Sequence, residues 1–485
     1  MVPDVIPYAQ LVAMLLGLAL LVRFGVGLHG YSGQGKAPMF GDYEAQRHWM
    51  ELSLHTPVEE WYINTAANNL SYWGLDYPPL SAYQSYVYGK VLSLVEREAF
   101  DLSTSQGYES PSSKLLMRWS VIFSDLVFTF PTALAVVRAF YRGSPSGVRI
   151  QALVAMLLQP AALLIDHGHF QYNNISLGLS AAAAASIALD WDCLGSVLFC
   201  MALNHKQMTL YFAPAFFAHL LGKSLQREGA VAKMLAVAKL GTVVLATFVL
   251  LWWPFLRKPS TAMKVLQRLA PVQRGLFEDY VANFWCVSHI AVKWKTLFAK
   301  AELWRLCTGA TLLAFLPSMI QQIWRPSKEG FLLCMANCSI AFFMFSYQVH
   351  EKSCLLFLLP VSMMGGLEPY LAAGLPIVGA FSIFPLLAKD DALLAYYGVN
   401  SLYLCLRLPD LFPANSWTLR ITSITAATVM AGIHAAACLI SPPERYPYVF
   451  DLLFVSFSFL CFSSAAVYLN CRQAGLRKNK ITKRK

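Results

Sequence analysis

The chain has 485 residues, of which 57% are hydrophobic and 13% are charged, and its formal net charge is +11. A soluble protein carries about 25% charged residues, so this chain has too little polar surface to cover several soluble domains, and we predict a polytopic membrane protein. The basic residues lie mostly in short loops between apolar runs and in the tail 477–485, a pattern that indicates cytosolic loops and not nucleic-acid binding.

About fourteen apolar runs approach the roughly 20 residues that a helix needs to cross a membrane, and they predict an all-α fold. The segment 281–297 is also apolar, but polar residues interrupt it, so we predict an interfacial helix there. The first run is too long for a signal-peptide core and no small-residue cleavage site follows it, which indicates a retained anchor. The predicted spans are 6–28, 115–140, 148–166, 172–190, 193–204, 206–222, 233–257, 303–324, 329–348, 353–373, 374–388, 391–408, 417–440 and 448–470.

Basic residues set the orientation of these spans. If both termini are cytosolic, four basic clusters fall inside, as the positive-inside rule requires: Arg142 with Arg149, Lys223 with Arg227, Arg325 with Lys328, and the tail 477–485. The same arrangement places four other segments on the opposite side, namely 29–114, 166–173, 257–280 and 348–352. These segments hold the motifs that are richest in titratable residues, so we predict one shared site on that face.

The first motif, "GDYEAQRHWME" at 41–51, follows the first span. Glu44, Arg47, His48 and Glu51 recur at helical spacing and form one polar face, as in a helix that lies along a membrane surface. Asp42 stands at the start of this helix, where an N-cap is its structural role. The functional role is compatible with the cap, because the helix dipole holds the carboxylate ionised, as a general base requires.

The second motif, "YWGLDYPPLSAY" at 72–83, surrounds a carboxylate with aromatic rings. Pro78 disfavours α geometry at Tyr77, so Asp76 is predicted in an extended segment or a turn. Such a pattern is most often only a turn. Aromatic rings beside a carboxylate also suit a sugar, which offers C–H faces for stacking and hydroxyls for hydrogen bonds.

The third motif, "DHGHFQYN", ends the third predicted span and contains Asp166, His167, His169 and Gln171. A zinc site needs three or four convergent ligands, and the eleven cysteines include no C-x-x-C pair. Hydrogen bonding to a hydroxylated substrate, or a structural cap on the helix end, is therefore favoured over a metal.

The fourth motif, "SYQVHEK", places His350, Glu351 and Lys352 at the end of the ninth predicted span. A snorkelling helix terminus is the ordinary explanation for such residues. However, a basic loop on the same predicted side contradicts the positive-inside rule and indicates an anionic partner, for which a phosphate is a natural candidate. Its basic residues are Arg257, Lys258, Lys264, Arg268 and Arg274.

Five motifs in order carry a resemblance to a known family: "GDYEAQRHWM", "YWGLDYPPL", "DHGHFQYN", "FEDxVANFWC" at 277–286, and "QVHEK". Together they resemble the endoplasmic-reticulum α-1,3-glucosyltransferases that use dolichyl-phosphate-glucose, over nearly the whole chain. The sister enzymes that add the second glucose share an "LDYPP" motif but differ around "EAQRHW". The resemblance therefore favours addition of the first glucose to the mannose-rich glycan carried by dolichol pyrophosphate.

This resemblance implies a GT-C fold in the endoplasmic-reticulum membrane, with residues 1–485 as one domain, a lumenal active site, and lumenal loops 29–114 and 257–302 that carry interfacial helices. It implies inverting transfer of glucose from dolichyl-phosphate-β-glucose to a terminal mannose of Man9GlcNAc2-pyrophosphate-dolichol, without a cofactor or metal. Membrane lipid is a further expected partner. The match to the family's first lumenal motif makes Asp42 the candidate base, and His350 with Lys352 the candidate phosphate contacts. The full set of candidate substrate-binding residues is Glu44, Arg47, Asp76, Tyr77, Asp166, His167, His169, Gln171, His350, Glu351 and Lys352.

Three other classes of protein stay open on the residues alone. A dolichol-dependent mannosyltransferase, or the second glucosyltransferase, would share the fold and the mechanism. A transporter would also have many spans, but transporters usually show internal repeats, and this sequence shows no convincing one. A flippase or scaffold without chemistry would keep its function after loss of Asp42.

Overall fold

The computed structural model describes residues 7–270 and 275–476. Arg274 of the predicted anion-binding loop and the basic tail 477–485 lie outside these residues. The described chain is helical throughout, and its one β-type contact is an isolated parallel bridge between Phe277 and Val349. The all-α prediction is therefore confirmed.

The described residues form twenty-two α-helices, with several tighter or wider turns between them. In chain order the helices are α1 (Tyr8–Gly27), α2 (Gly41–His55), α3 (Pro79–Leu92), α4 (Pro111–Ser124), α5 (Phe130–Phe140), α6 (Ser146–Leu157), α7 (Pro160–Leu163), α8 (Asn173–Ala188), α9 (Asp192–His205), α10 (Ala213–Leu225), α11 (Ala230–Leu256), α12 (Pro259–Leu269), α13 (Phe284–Ser288), α14 (Trp294–Leu297), α15 (Lys300–Trp324), α16 (Lys328–Phe345), α17 (Cys354–Met363), α18 (Pro369–Ser382), α19 (Phe384–Lys389), α20 (Leu393–Leu411), α21 (Trp417–Leu439) and α22 (Val449–Ala474). Turns of π-helix occupy Asp125–Thr129 and Leu164–Phe170, and 3₁₀ turns occupy Val58–Glu60, Arg97–Phe100, Gln207–Phe212 and Glu351–Ser353.

Eight helical stretches of the described chain, two of which combine consecutive helices with a π turn, are long and apolar enough to cross a membrane. This supports a multi-pass membrane protein. The eight stretches are Tyr8–Gly27, Pro111–Phe140, Ser146–Phe170, Ala230–Leu256, Lys300–Trp324, Lys328–Phe345, Trp417–Leu439 and Val449–Ala474. Most of the other predicted spans coincide with helices that are shorter or less apolar, so the count of fourteen stays a prediction.

Two predicted boundaries are wrong. Spans were predicted at 353–373 and 374–388, but α17 ends at Met363 and α18 begins at Pro369. The break falls at Gly365 and Gly366, where an added Cβ atom would lie within 3 Å of atoms of α6 and of Tyr141. Pro369 then occupies the first turn of α18, a position that suits proline.

The segment between α1 and α4 folds over one end of the bundle and carries α2 and α3. Residues 43–53 of α2 are all buried, so its polar face is not the exposed face of a surface helix. Arg47 bridges Glu44 and Glu51 at N–O distances of 2.6 and 2.7 Å, which makes the burial of these three charges possible. α2 therefore acts as a rigid support for the residues at its N-terminus.

Candidate active site

Asp42 lies in the first turn of α2, where the helix dipole favours a negative charge. It is not the predicted N-cap, because the cap position belongs to Phe40, whose side chain makes no capping hydrogen bond. The backbone N–H of Asp42 donates to Oγ of Ser32 at 3.2 Å. Gly41 has φ 76°, and a Cβ atom there would lie 2.7 Å from Ser32, so the chain needs glycine immediately before the aspartate.

One oxygen of Asp42 is held by three other segments of the chain. Its Oδ2 lies 2.5 Å from Nζ of Lys352, 2.5 Å from Nε2 of Gln171 and 3.0 Å from Nε2 of His169. No donor among the described residues reaches its Oδ1 within hydrogen-bond distance, and the side chain is 22% exposed. The carboxylate is thus fixed through one oxygen, while its other oxygen has no hydrogen-bond donor among the described residues.

His169 connects this carboxylate to a second one. Its Nδ1 lies 2.5 Å from Oδ2 of Asp390, and its Nε2 lies 3.0 Å from Nζ of Lys352 as well as from Asp42. A carboxylate at Nδ1 fixes the proton on that nitrogen and the orientation of the ring. Asp390 follows α19 and was missed by the sequence analysis.

The charges in this cluster stabilise one another. Burial alone raises the pKa of Asp42, but Lys352 and His169 outweigh burial and hold that pKa well below its ordinary value. Burial lowers the pKa of Lys352, whereas Asp42 and Glu351 raise it, and the net pKa is higher than usual. Asp42 is therefore an anion, and Lys352 a cation, at neutral pH.

Lys206 is a second cation beside this cluster that the sequence analysis did not identify. Its Nζ donates to Oδ1 of Asn173 at 2.5 Å and to Oε1 of Gln171 at 3.5 Å. It also lies 4.7 Å from the ring centroid of Tyr77. Tyr77 thereby contacts the cluster through a cation–π interaction, and its predicted contact with substrate stays a prediction.

The motif "DHGHFQYN" divides into two halves with different environments. His169 and Gln171 contact Asp42, whereas Asp166 accepts hydrogen bonds from the backbone of Asn173 and Asn174 and so caps the start of α8. His167 points elsewhere: its Nε2 lies 2.6 Å from Oδ2 of Asp125, which Arg23 also contacts at 2.6 Å.

We searched this cluster for a set of side chains that could bind a metal ion. Within residues 7–270 and 275–476, no three His, Cys, Asp or Glu side chains are grouped as metal ligands. The metal-independent reaction stays a prediction.

Two further predicted residues have mainly structural contacts. Arg47 is fully buried and binds Glu44 through two N–H groups, each at 2.6 Å. Glu44 also accepts from the hydroxyl of Tyr72 at 2.8 Å and from the backbone of Gly107 at 3.0 Å. Their predicted contact with substrate stays a prediction.

The loop that carries Asp76 is anchored next to the cluster. The backbone carbonyl of Asp76 accepts from Gln207, which follows Lys206 directly in the chain. From the other side, Arg268 of α12 donates to the carbonyl of Gly74 at 2.8 Å. One of the basic residues that we assigned to an anionic partner therefore holds the aspartate loop in place.

The motif at 277–286 contacts the motif "QVHEK" at 348–352. The backbone of Gln348 donates to Leu276 at 2.9 Å, beside the bridge between Phe277 and Val349. In the same region Nδ1 of His350 lies 2.7 Å from Oε2 of Glu351, and its Nε2 lies 3.6 Å from Oε2 of Glu278. The side chain of His350 is 35% exposed, whereas that of Glu351 is buried.

Backbone strain marks the segments that build the cluster. Among the described non-glycine residues, eight have positive φ, and four of these flank the residues around Asp42: Phe40 (59°), Phe170 (87°), Gln348 (59°) and Asp391 (56°). Such conformations are costly and concentrate at functional sites. The strain and the convergence of charges identify the same place in the fold.

Comparison with known proteins yields one family and several full-length relatives. A family model described as the ALG6, ALG8 glycosyltransferase family matches residues 13–468. An Arabidopsis thaliana protein named "Probable dolichyl pyrophosphate Man9GlcNAc2 alpha-1,3-glucosyltransferase" is 44% identical over 475 residues, which cover 94% of this chain and 88% of that protein. Proteins named "Dolichyl pyrophosphate Man9GlcNAc2 alpha-1,3-glucosyltransferase" are 39% identical in Gallus gallus, covering 93% of this chain and 94% of that one, and 37% identical in Saccharomyces cerevisiae, covering 92% and 88%.

Proposed function

This chain belongs to the ALG6, ALG8 glycosyltransferase family, and from that premise we propose that it transfers glucose from dolichyl-phosphate-β-glucose to a terminal mannose of Man9GlcNAc2-pyrophosphate-dolichol. The names of these relatives support the proposed acceptor and the proposed α-1,3 linkage. The donor, the lumenal site, the cytosolic termini and the GT-C architecture are the finer parts of the proposal. Family membership supports residence in the endoplasmic reticulum.

The environment of Asp42 is the observation that carries the proposal. A general base must be ionised, held in place, and within reach of the proton that it removes. Lys352, His169 and Gln171 hold Oδ2, and Oδ1 has no donor among the described residues. This arrangement supports an acceptor hydroxyl bound against Oδ1.

The reaction is a single displacement at the anomeric carbon. The acceptor oxygen attacks the face opposite the phosphate, the carbon–oxygen bond to phosphate breaks with its electron pair, and the hydroxyl proton passes to Asp42. The products are an α-linked glucoside and dolichyl phosphate. Because phosphate departs as an anion, no acidic group has to protonate it, and the second carboxylate of a glycosidase is unnecessary.

Cations near Asp42 support stabilisation of the departing phosphate. Nζ of Lys352 lies 2.5 Å from Oδ2 of Asp42, and its other N–H groups can donate to a phosphate oxygen. Lys206 donates to Gln171, and the partly exposed His350 precedes Lys352 by two residues in the chain. Positioned positive charge at a leaving group acts where charge develops in the transition state.

The decisive experiment replaces Asp42 by asparagine. Asp42→Asn keeps the size of the side chain but cannot accept a proton at neutral pH. We expect the purified variant, given dolichyl-phosphate-glucose and a Man9GlcNAc2 acceptor, to lose roughly a hundredfold to ten-thousandfold in rate while thermal stability stays close to that of the wild type. Asp391→Asn, an exposed aspartate beside the cluster, is the matched control and should transfer normally.

Near-normal transfer by Asp42→Asn would show that Asp42 is not the base, and Asp76 would become the leading candidate. Dolichyl-phosphate-mannose as donor, and an acceptor that already carries one glucose, test the mannosyltransferase and second-glucose alternatives in the same assay. Strong inhibition by a chelator would contradict the metal-independent mechanism.

A further inference from the structure

A cleft of about 250 Å³ opens between α1 and α4, at the end of the bundle that carries Asp42. α1 ends at Gly27 and α4 begins at Pro111, and the segment that holds Asp42 connects them. Apolar side chains that are 37 to 64% exposed form the walls of the cleft: Phe24, Leu28, Leu115 and Trp119. Both helices belong to helical stretches that are long and apolar enough to cross a membrane.

Two basic side chains of one helix border the cleft. Lys114 and Arg118 lie one turn apart on α4, and both are about 6 Å from the ring centroid of Tyr31. In the part of the chain that the structure describes, neither forms an ion pair. Like charges at this spacing destabilise a helix, and charges within a membrane span are rare and usually functional.

The structural contacts of Arg118 account for only part of its guanidinium. Its terminal nitrogens donate to the carbonyls of His167, Gly168 and Gly30 at 2.5 to 3.0 Å. The residue is only 4% exposed, and its buried Nε has no hydrogen-bond partner among the described residues. A buried N–H of a charged group without an acceptor is costly, which indicates that an acceptor comes from outside the chain.

The third cation of the cleft is already neutralised. Arg23 lies 2.6 Å from Asp125 and donates to two backbone carbonyls. Lys114 has a single backbone acceptor, the carbonyl of Leu28 at 3.2 Å, and is half-buried. The cleft thus combines two positive charges that form no ion pair among the described residues with an apolar surface along two candidate membrane spans.

We propose that this cleft binds the phosphate group of a membrane lipid, with Lys114 and Arg118 as ligands and the lipid chain along α1 and α4. Arginine and lysine are the usual partners of phosphate oxygens, and the apolar walls suit a hydrocarbon chain. The cleft shares no lining residue with the Asp42 cluster, so it is a second lipid-phosphate site and does not depend on the proposed base.

The test measures lipid binding to the purified full-length chain by native mass spectrometry. Lys352→Met serves as the background, so that the proposed donor site does not contribute. The probes are polyprenyl phosphate, polyprenyl pyrophosphate, phosphatidylserine, uncharged polyprenol and inorganic phosphate. We expect one phosphate-bearing lipid to be retained per chain, and Lys114→Glu to weaken its binding about tenfold or more. Lys90→Met, an exposed lysine on α3, should have no effect.

The lipid arms identify the source of the phosphate. Preference for a polyprenyl phosphate or pyrophosphate would assign the cleft to a substrate-type lipid, and equal retention of phosphatidylserine would assign it to bulk anionic lipid. Retention of uncharged polyprenol as tight as that of its phosphate, or undiminished binding in folded Lys114→Glu, would overturn the proposal. Lys114→Met provides the same test if the charge reversal prevents folding. Asp42→Asn should leave this binding unchanged, which separates the cleft from failure of the catalytic proposal.

Discussion

Replacing Arg47 by methionine should destabilise the protein strongly without acting on substrate directly. Arg47 is completely buried, and all five of its N–H groups have acceptors: Glu44 twice, Glu51, the carbonyl of Ala99 and Oγ of Ser105. Methionine fills a similar volume but leaves two buried carboxylates without their cation. Breaking a buried pair by removing one partner typically costs about 3–5 kcal/mol.

The pKa of Glu51 reflects all the groups around this carboxylate. Burial raises that pKa, but His48 and Arg47 outweigh burial and lower it from 4.5 to about 2. The difference corresponds to about 3 kcal/mol, shared between His48, Arg47 and the backbone of Ser103. Because the folded-state pKa is depressed, this stabilisation is present above the unfolded-state pKa of about 4.3 and is lost as the pH falls towards 2.

The assay is thermal unfolding of the purified chain in detergent, followed by acceptor kinetics at a temperature at which the variant is folded. Arg47→Lys retains one charge but at most three of the five hydrogen bonds, and should fall between wild type and Arg47→Met. Arg97→Met is the matched control, since the side chain of Arg97 is 88% exposed. Wild-type stability combined with a raised KM for the acceptor would refute the structural reasoning and restore Arg47 as a substrate-binding residue.

Three further outcomes are expected. Lys352→Met removes the main cause that lowers the pKa of Asp42, while burial still raises that pKa. The residual kcat/KM should therefore decline at a higher pH on the acidic side of its profile than in the wild type. An unshifted acidic limb would contradict the pairing of Lys352 with Asp42. Asp390→Asn should lower kcat about a hundredfold by releasing the ring of His169, whereas the exposed neighbour in Asp391→Asn should not, and equal activities would remove Asp390 from the site. Reporter tags after residue 60 and at the C-terminus should report opposite compartments, and a shared compartment would overturn the predicted topology.

Apolar length predicted most of the helices because the membrane allows few alternatives. Where the prediction failed, at 353–388, apolar length was followed although Gly365, Gly366 and Pro369 are local signals of a break. The two glycines also admit α6 and Tyr141 at close range. A contact between distant segments decided where the helix ends. Hydropathy measures only the local chain and cannot detect such a contact.

The predicted topology already contained the signal for the two missed residues. Lys206 is the first residue of the predicted span 206–222, and Asp390 lies between the spans 374–388 and 391–408. Counting spans from a cytosolic N-terminus places both on the same side as Asp42. Neither lies in a motif, since Lys206 begins a predicted span and Asp390 stands between Lys389 and Asp391. Charge at a span boundary is usually only a snorkelling terminus.

Charge at a site does not identify the task of each residue, and the two histidines of "DHGHFQYN" illustrate why. They are two residues apart, yet His167 pairs with Asp125 inside the bundle and His169 with Asp42 and Asp390. Side chains two residues apart in a helix point to nearly opposite faces. Here the helix is a π turn at Leu164–Phe170, which ends in the left-handed conformation of Phe170. An α-helical continuation would have changed both directions, because a π turn adds one residue to the hydrogen-bonded ring and alters the angular spacing of side chains. The sequence supplies the polar groups, but the local backbone decides which of them stabilise the bundle and which face the accessible carboxylate.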